Sequence, residues 1–188
     1  VTKLQVVGFD PSLNNWGIAH ATYCTVTKRI QIQSLDVIQP VVPKGKQVRQ
    51  NSKDLVAATQ LADGAMRAAE GAHAIFVEVP IGSQSARAMA SYGICAGILG
   101  TMRAAGIQYF EVTPTEVKMI SVGKATASKK EMIEWAKAAQ PELVFPTYIK
   151  NGIAAIVEGK AEHMADAIGA IHAGIHSDPF QQLMKLRA

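Results

Sequence analysis

The sequence predicts an α/β protein built on a mixed five-stranded sheet with helices on both faces. Three observations lead there. Between positions 3 and 38 three runs rich in β-branched and aromatic residues follow one another, the second and third separated by a short polar stretch that suits a hairpin. Stretches of helical periodicity then alternate with two further apolar runs, 74–79 and 108–112. Finally, the chain has 188 residues, 48% hydrophobic and 18% charged, which suits one domain of about 100 to 200 residues with a real core.

Each element has its own local reason. Residues 3–9 (KLQVVGF) form a buried strand that stops at Asp10, Pro11 and Ser12, a turn sequence. Runs 16–25 and 29–38 are the next two strands, turning around Thr27 and Lys28. Segment 39–53 carries two prolines, four basic residues (Lys44, Lys46, Arg49 and Lys53) and no acid, and is expected to be an exposed connection. A helix over 55–70 leads to a strand at 74–79 that ends at Glu78 and Pro80. Residues 84–105 read as a helix rich in small side chains, whose Gly93, Gly97 and Gly100 would allow another helix close. After the strand at 108–112, Thr113, Pro114 and Glu116 open a short helix to Lys118 with a capping box. Helices are expected over 128–138 and 162–176, with an insertion at 139–160 and a tail at 179–188. A meander followed by alternating helices and strands is compatible with a ribonuclease H-like fold, here spanning 1–188 as a single domain.

Several function classes are excluded early. Nineteen Lys and Arg against fifteen Asp and Glu leave a charge of +4, a mild lean toward anionic partners. Cys24 and Cys95 stand far apart in no CxxC pattern, which fits a reducing cytosol and no disulfide framework. The start lacks a secretory h-region, and the most apolar helix is interrupted by Arg87 and Arg103, so a cytoplasmic protein without a membrane span is expected. GxxxxGK[ST], HExxH and GxSxG do not occur.

What remains is a set of carboxylates. An acid at the end of an apolar strand is costly unless it is solvated, paired or bound to a cation, and Asp10 and Glu78 both sit there. His163 and Asp166 lie three apart, on one face of the last helix. Taken singly, Asp10 reads equally as a turn residue, and the pair on the last helix as a polar helix start favoured by the dipole. Together they form an oxygen-rich set suited to Mg²⁺ or Mn²⁺, and two-ion phosphodiester hydrolysis is the chemistry such a set serves. Lys118, Lys124, Lys129 and Lys130 occupy a stretch with no acid between the first and the last, a candidate DNA-phosphate surface or an ordinary solvated face.

Four segments carry a family resemblance: GFDPSLNNWGIA at 8–19, FVEVPIGSQSARAMASYGICAGIL at 76–99, VTPTEVKMISVGKATASKKEM at 112–132 and EHMADAIGAI at 162–171. In this order they resemble the RuvC-type Holliday-junction endonucleases, as a phage-like member. The resemblance implies Asp10, Glu78, His163 and Asp166 as catalytic metal ligands for two Mg²⁺ (or Mn²⁺) ions, with Lys118 and Lys129 facing DNA phosphates. It also implies a homodimer that nicks four-way junctions symmetrically, leaving 5′-phosphate and 3′-hydroxyl ends. Cellular members place an aromatic residue just after the second acid, whereas this chain has Pro80, Ile81 and Gly82 there. A broader branched-DNA or flap nuclease on the same fold, and a non-catalytic junction-binding protein, are the alternatives.

Overall fold

The computed structural model describes residues 2–45, 47–150 and 152–186; Lys46 of the basic connection lies outside the described residues. Strands β1 (Lys3–Asp10), β2 (Trp16–Cys24) and β3 (Ile30–Ile38) form the antiparallel meander. Helix α1 (Gln50–Ala69) leads to β4 (Ala74–Glu78), and α2 (Ala86–Ala104) to β5 (Phe110–Val112). Both of these strands run parallel to β1, in the sheet order β3-β2-β1-β4-β5. The mixed five-stranded sheet of the sequence reading is therefore present.

Its two faces are both buried, and the two-residue period of the strands decides which side chain goes where. Leu4, Val6, Ala19, Ala21, Tyr23 and Phe76 face one core, filled by α5 (Glu158–His176) with α3 (Pro114–Val122), α4 (Lys129–Ala139) and α6 (Asp178–Leu186) around it. Val7, Phe9, Ile18, Ile75 and Val77 face the other, filled by α1 and α2 through Leu61, Ala65, Ile98, Leu99 and Met102. Double coverage explains why β1 and β4 are near-continuous apolar runs and not alternating ones. Among the described residues no helix is long and apolar enough to cross a membrane.

Several elements depart from the sequence expectation: α3 runs on past Lys118 to Val122, and α5 begins at Glu158, four residues before the expected 162 and inside the expected insertion. Helix α1 begins at Gln50, five residues before the expected start, because the buried Asp54 carboxylate accepts two hydrogen bonds from Arg87 of α2, at 2.6 and 2.8 Å, and one from Gln50. The insertion holds a small hairpin, β6 (Thr147–Lys150) and β7 (Ile153–Ile156), whose base is tied to the start of α5 by Val157 N–H donating to the Pro146 carbonyl. The described part of the tail, to Leu186, is folded back as α6, which plants Phe180 among the rings of Tyr23, Phe76 and Phe110; residues 187 and 188 lie outside the described residues. The expected Thr113–Glu116 capping box is complete, Ser128 and Glu131 close a second one at α4, and the Ser85 side chain accepts from the Ala88 N–H at the start of α2.

Candidate active site

Strand register brings the first two acids to one edge. Phe9 of β1 pairs with Val77 of β4, so Asp10 and Glu78 emerge side by side at the carboxyl ends of neighbouring parallel strands. That edge is where open α/β sheets bind ligands. Asp10 also pairs with Gly17 across β1 and β2.

The third element is α5, and glycine lets it approach. A Cβ built at Gly8 would lie 2.1 Å from the Ala167 carbonyl oxygen, and one at Gly17 would lie 2.1 Å from that of His163. Only a residue without a side chain permits helix backbone and strand backbone to meet this closely. The contact at Gly17 sets His163 directly above Asp10, with the His163 Nδ1–H donating to Asp10 Oδ2 at 2.5 Å. Asp166 follows on the same helical face, completing a cavity of about 240 Å³ lined by Asp10, Ser12, Glu78, Tyr92, Pro114, His163 and Asp166.

The electrostatics of this cavity are unbalanced. Glu78 Oε2 and Asp166 Oδ1 are buried and have no hydrogen-bond partner among the described residues. Burial, followed by the charges of Asp10 and Asp166, raises the Glu78 carboxyl far above the usual range, with Lys118 opposing in part. Asp166 is raised by burial and then by Asp10, against His163 and Lys118. His163 is raised as well: burial opposes its charge, but the hydrogen bond to Asp10 and the charges of Asp10, Glu162 and Asp166 outweigh that cost. Carboxylates in this condition favour a bound proton or a bound cation. Three carboxyl groups, two of them with orphaned buried oxygens, fit a hard divalent cation by donor chemistry. Among the described residues no three such side chains already enclose an ion-sized point, and Asp10 meets its charge with His163 instead.

The structure thus brings together all four residues singled out for the site, and it distributes the four lysines differently. Half-buried Lys118 makes no ion pair among the described residues, and its charge acts on both Glu78 and Asp166. Lys124 donates to Glu131 at 2.9 Å, Lys129 to Glu162 at 2.7 Å, and Lys130 lies 3.8 Å from Glu134. The acid-free stretch in sequence is therefore not acid-free in space. Of the second basic segment, Lys44 and Arg49 are exposed and Lys53 donates to the Gly45 carbonyl. Sequence reasoning missed Glu162, which sits in the second turn of α5, and Tyr92, which lines the cavity. Glu162 immediately precedes a candidate ligand, but its importance rests on a partner 33 positions away.

No protein-family model and no curated protein matches the chain. Solved structures do. The chain is similar to Thermus thermophilus RuvC in complex with a Holliday junction substrate, with 16% identity and a TM-score of 0.61, covering 97% of this chain and 96% of that one. It is equally similar in sequence to a second Thermus thermophilus RuvC structure, with 16% identity and a TM-score of 0.59, covering 97% of each chain. The likeness spans nearly the whole of each chain, and the chain has the RuvC fold, a ribonuclease H-like α/β architecture.

Proposed function

We propose that this chain is a divalent-cation-dependent DNA endonuclease, a single nuclease domain that resolves four-way junctions by paired symmetric nicks, acting as a homodimer. The observation that carries the reading is the convergence of Asp10, Glu78 and Asp166 at one sheet edge, with buried carboxylate oxygens that lack partners. The junction is carried over from the similar structure that holds one. Asp10, Glu78 and Asp166 would hold the cations, two Mg²⁺ or Mn²⁺ ions in our reading, while His163, a ligand in the sequence reading, has both ring nitrogens against carboxylates and stands beside them. Bound there, divalent cations supply Lewis acidity toward a phosphodiester and relieve the repulsion among the acids.

The chain's own residues supply the rest. In the hydrolysis, water adds to phosphorus and the P–O3′ bond breaks. The 3′ oxygen leaves with a proton, giving 5′-phosphate and 3′-hydroxyl ends. Asp10 holds the proton of His163 at Nδ1 and so fixes the ring's orientation over the cavity. Lys118 places a positive charge beside Glu78 and Asp166, where a scissile phosphate would accumulate negative charge. A two-fold dimer would present two such sites to a two-fold substrate.

One observation supports a second, broader reading. Ile81, 75% exposed at the cavity rim, stands where an aromatic wedge would serve to open base steps. A weaker wedge favours cutting of flaps and other branches alongside junctions. Cleavage of labelled four-way junction, flap and linear duplex, in Mg²⁺ and in EDTA, separates the two. Paired nicks confined to the junction and abolished by EDTA are expected, with Asp10→Asn slowing cleavage about 10³-fold or more while junction binding is kept. Equal cutting of every branched form establishes the broader nuclease, and parental cutting by Asp10→Asn overturns the site.

A further inference from the structure

Glu162 is an acid of α5 that the cation-binding set does not use, although it is buried beside that set. Lys129, in the first turn of α4, places its ammonium 2.7 Å from both Oε1 and Oε2 of Glu162. Glu162 Oε1 in turn lies 3.5 Å from His163 Nε2, while His163 Nδ1 is bonded to Asp10. Four side chains from three elements thus stand in one line: Lys129, Glu162, His163 and Asp10. The imidazole has a carboxylate at each of its nitrogens, so turning the ring about its bond to Cβ would forfeit both contacts at once.

We propose that Glu162 is a positioning residue that holds the His163 ring, and that Lys129 acts on the reaction through Glu162 and not by contacting DNA phosphate. The inference rests on the nuclease reading above. Its physical basis is the cost of the alternative. Drawing Lys129 away to a phosphate would leave the Glu162 carboxylate buried and uncompensated beside Asp10 and Asp166, and an unpaired buried charge is strongly destabilising. Lys129 therefore stays, its largely exposed side chain reaching across the surface to a buried partner. Here the imidazole is the partner of the Asp10 carboxylate, and outer partners that orient a ligating carboxylate matter nearly as much as the ligand itself.

The experiment compares Glu162→Gln, Lys129→Met, Lys129→Arg and the double variant Lys129→Met/Glu162→Gln with the parent. Measured are kcat and KM on a four-way junction in Mg²⁺, and the salt dependence of junction binding in EDTA. Glu162→Gln and Lys129→Met are each expected to lower kcat by about 10- to 100-fold with KM unchanged. The double variant should be no slower than the slower single one, because the two residues act as a unit. Lys129→Arg should recover most of the rate, and the salt slope of binding should stay parental throughout. A raised KM and a salt slope reduced by about one in Lys129→Met, with Glu162→Gln at the parental rate, would make Lys129 a phosphate contact and overturn the proposal. Parental kcat in both single variants, or additive losses in the double, overturns it equally. Asp10→Asn, run alongside, separates the failures: a cleaving Asp10→Asn sinks the nuclease reading, whereas an inert one beside a parental Glu162→Gln sinks the positioning role alone.

Discussion

Replacing Gly17 by alanine adds one methyl group at the point where β2 meets α5. The added Cβ would sit 2.1 Å from the His163 carbonyl oxygen and 3.0 Å from the His163 Cβ. Real Cβ atoms essentially never come within 3.0 Å of another heavy atom, so the helix or the strand must give by about 0.9 Å. No rotamer relieves the clash, since both sides are backbone. The displacement acts on the residue whose Nδ1 is bonded to Asp10 at 2.5 Å, and misplacement of about 1 Å at a reacting centre costs about 100-fold in rate. Overpacking itself costs about 1–3 kcal/mol. Gly174→Ala is the matched comparison: its Cβ would lie 2.0 Å from the Phe76 ring, but eight residues beyond Asp166 on the same helix. Single-turnover junction cleavage well below both melting temperatures should show about a 100-fold loss for Gly17→Ala and a near-parental rate for Gly174→Ala, although both melt early. A folded Gly17→Ala that cleaves within threefold of the parent, or a Gly174→Ala equally slow, would refute the claim that this close approach positions the site.

Two further outcomes follow from the packing and the charges. Phe180→Ala should cost about 3–5 kcal/mol in urea unfolding, because the ring is fully buried among Tyr23, Phe76 and Phe110; a loss below 1 kcal/mol would mean that α6 does not seal the core. In EDTA, the raised folded pKa of Glu78 gives stability that is fully present below its unfolded value and is lost as pH rises toward the folded value. The parent should therefore lose stability relative to Glu78→Gln as pH rises through that window, and saturating Mg²⁺ should reverse the trend in the parent; parallel melting curves in EDTA would contradict the buried, repelled state of this carboxyl.

Much of the site was legible because its signals are local. Asp10 and Glu78 each interrupt an apolar run at its end, and the spacing of His163 and Asp166 places them on one helical face. What brings these positions together is not local: Gly8 and Gly17 carry no sequence mark that says a helix will lie against them. The same holds for Glu162, whose neutralising partner is 33 residues upstream, and for Lys124, Lys129 and Lys130, whose acids at 131, 162 and 134 fall outside the acid-free stretch. Helix α1 begins early for a related reason, since residues 50–54 have no apolar period and are held by Arg87 from another helix. The β6–β7 hairpin escaped because its side chains are mostly exposed, so no alternation of burial shapes its sequence.

Asp10 and His163 are bonded across 153 positions of chain, and α5 packs against every strand of the central sheet. During synthesis, at roughly 5–20 residues per second, all five strands emerge before the helix that roofs the acids. A ribosome-bound fragment ending short of α5 has two carboxylates at an open sheet edge and no imidazole above them. The proposed nuclease is thus made unarmed, and DNA near the translating ribosome meets a competent cutter only once α5 has emerged and docked.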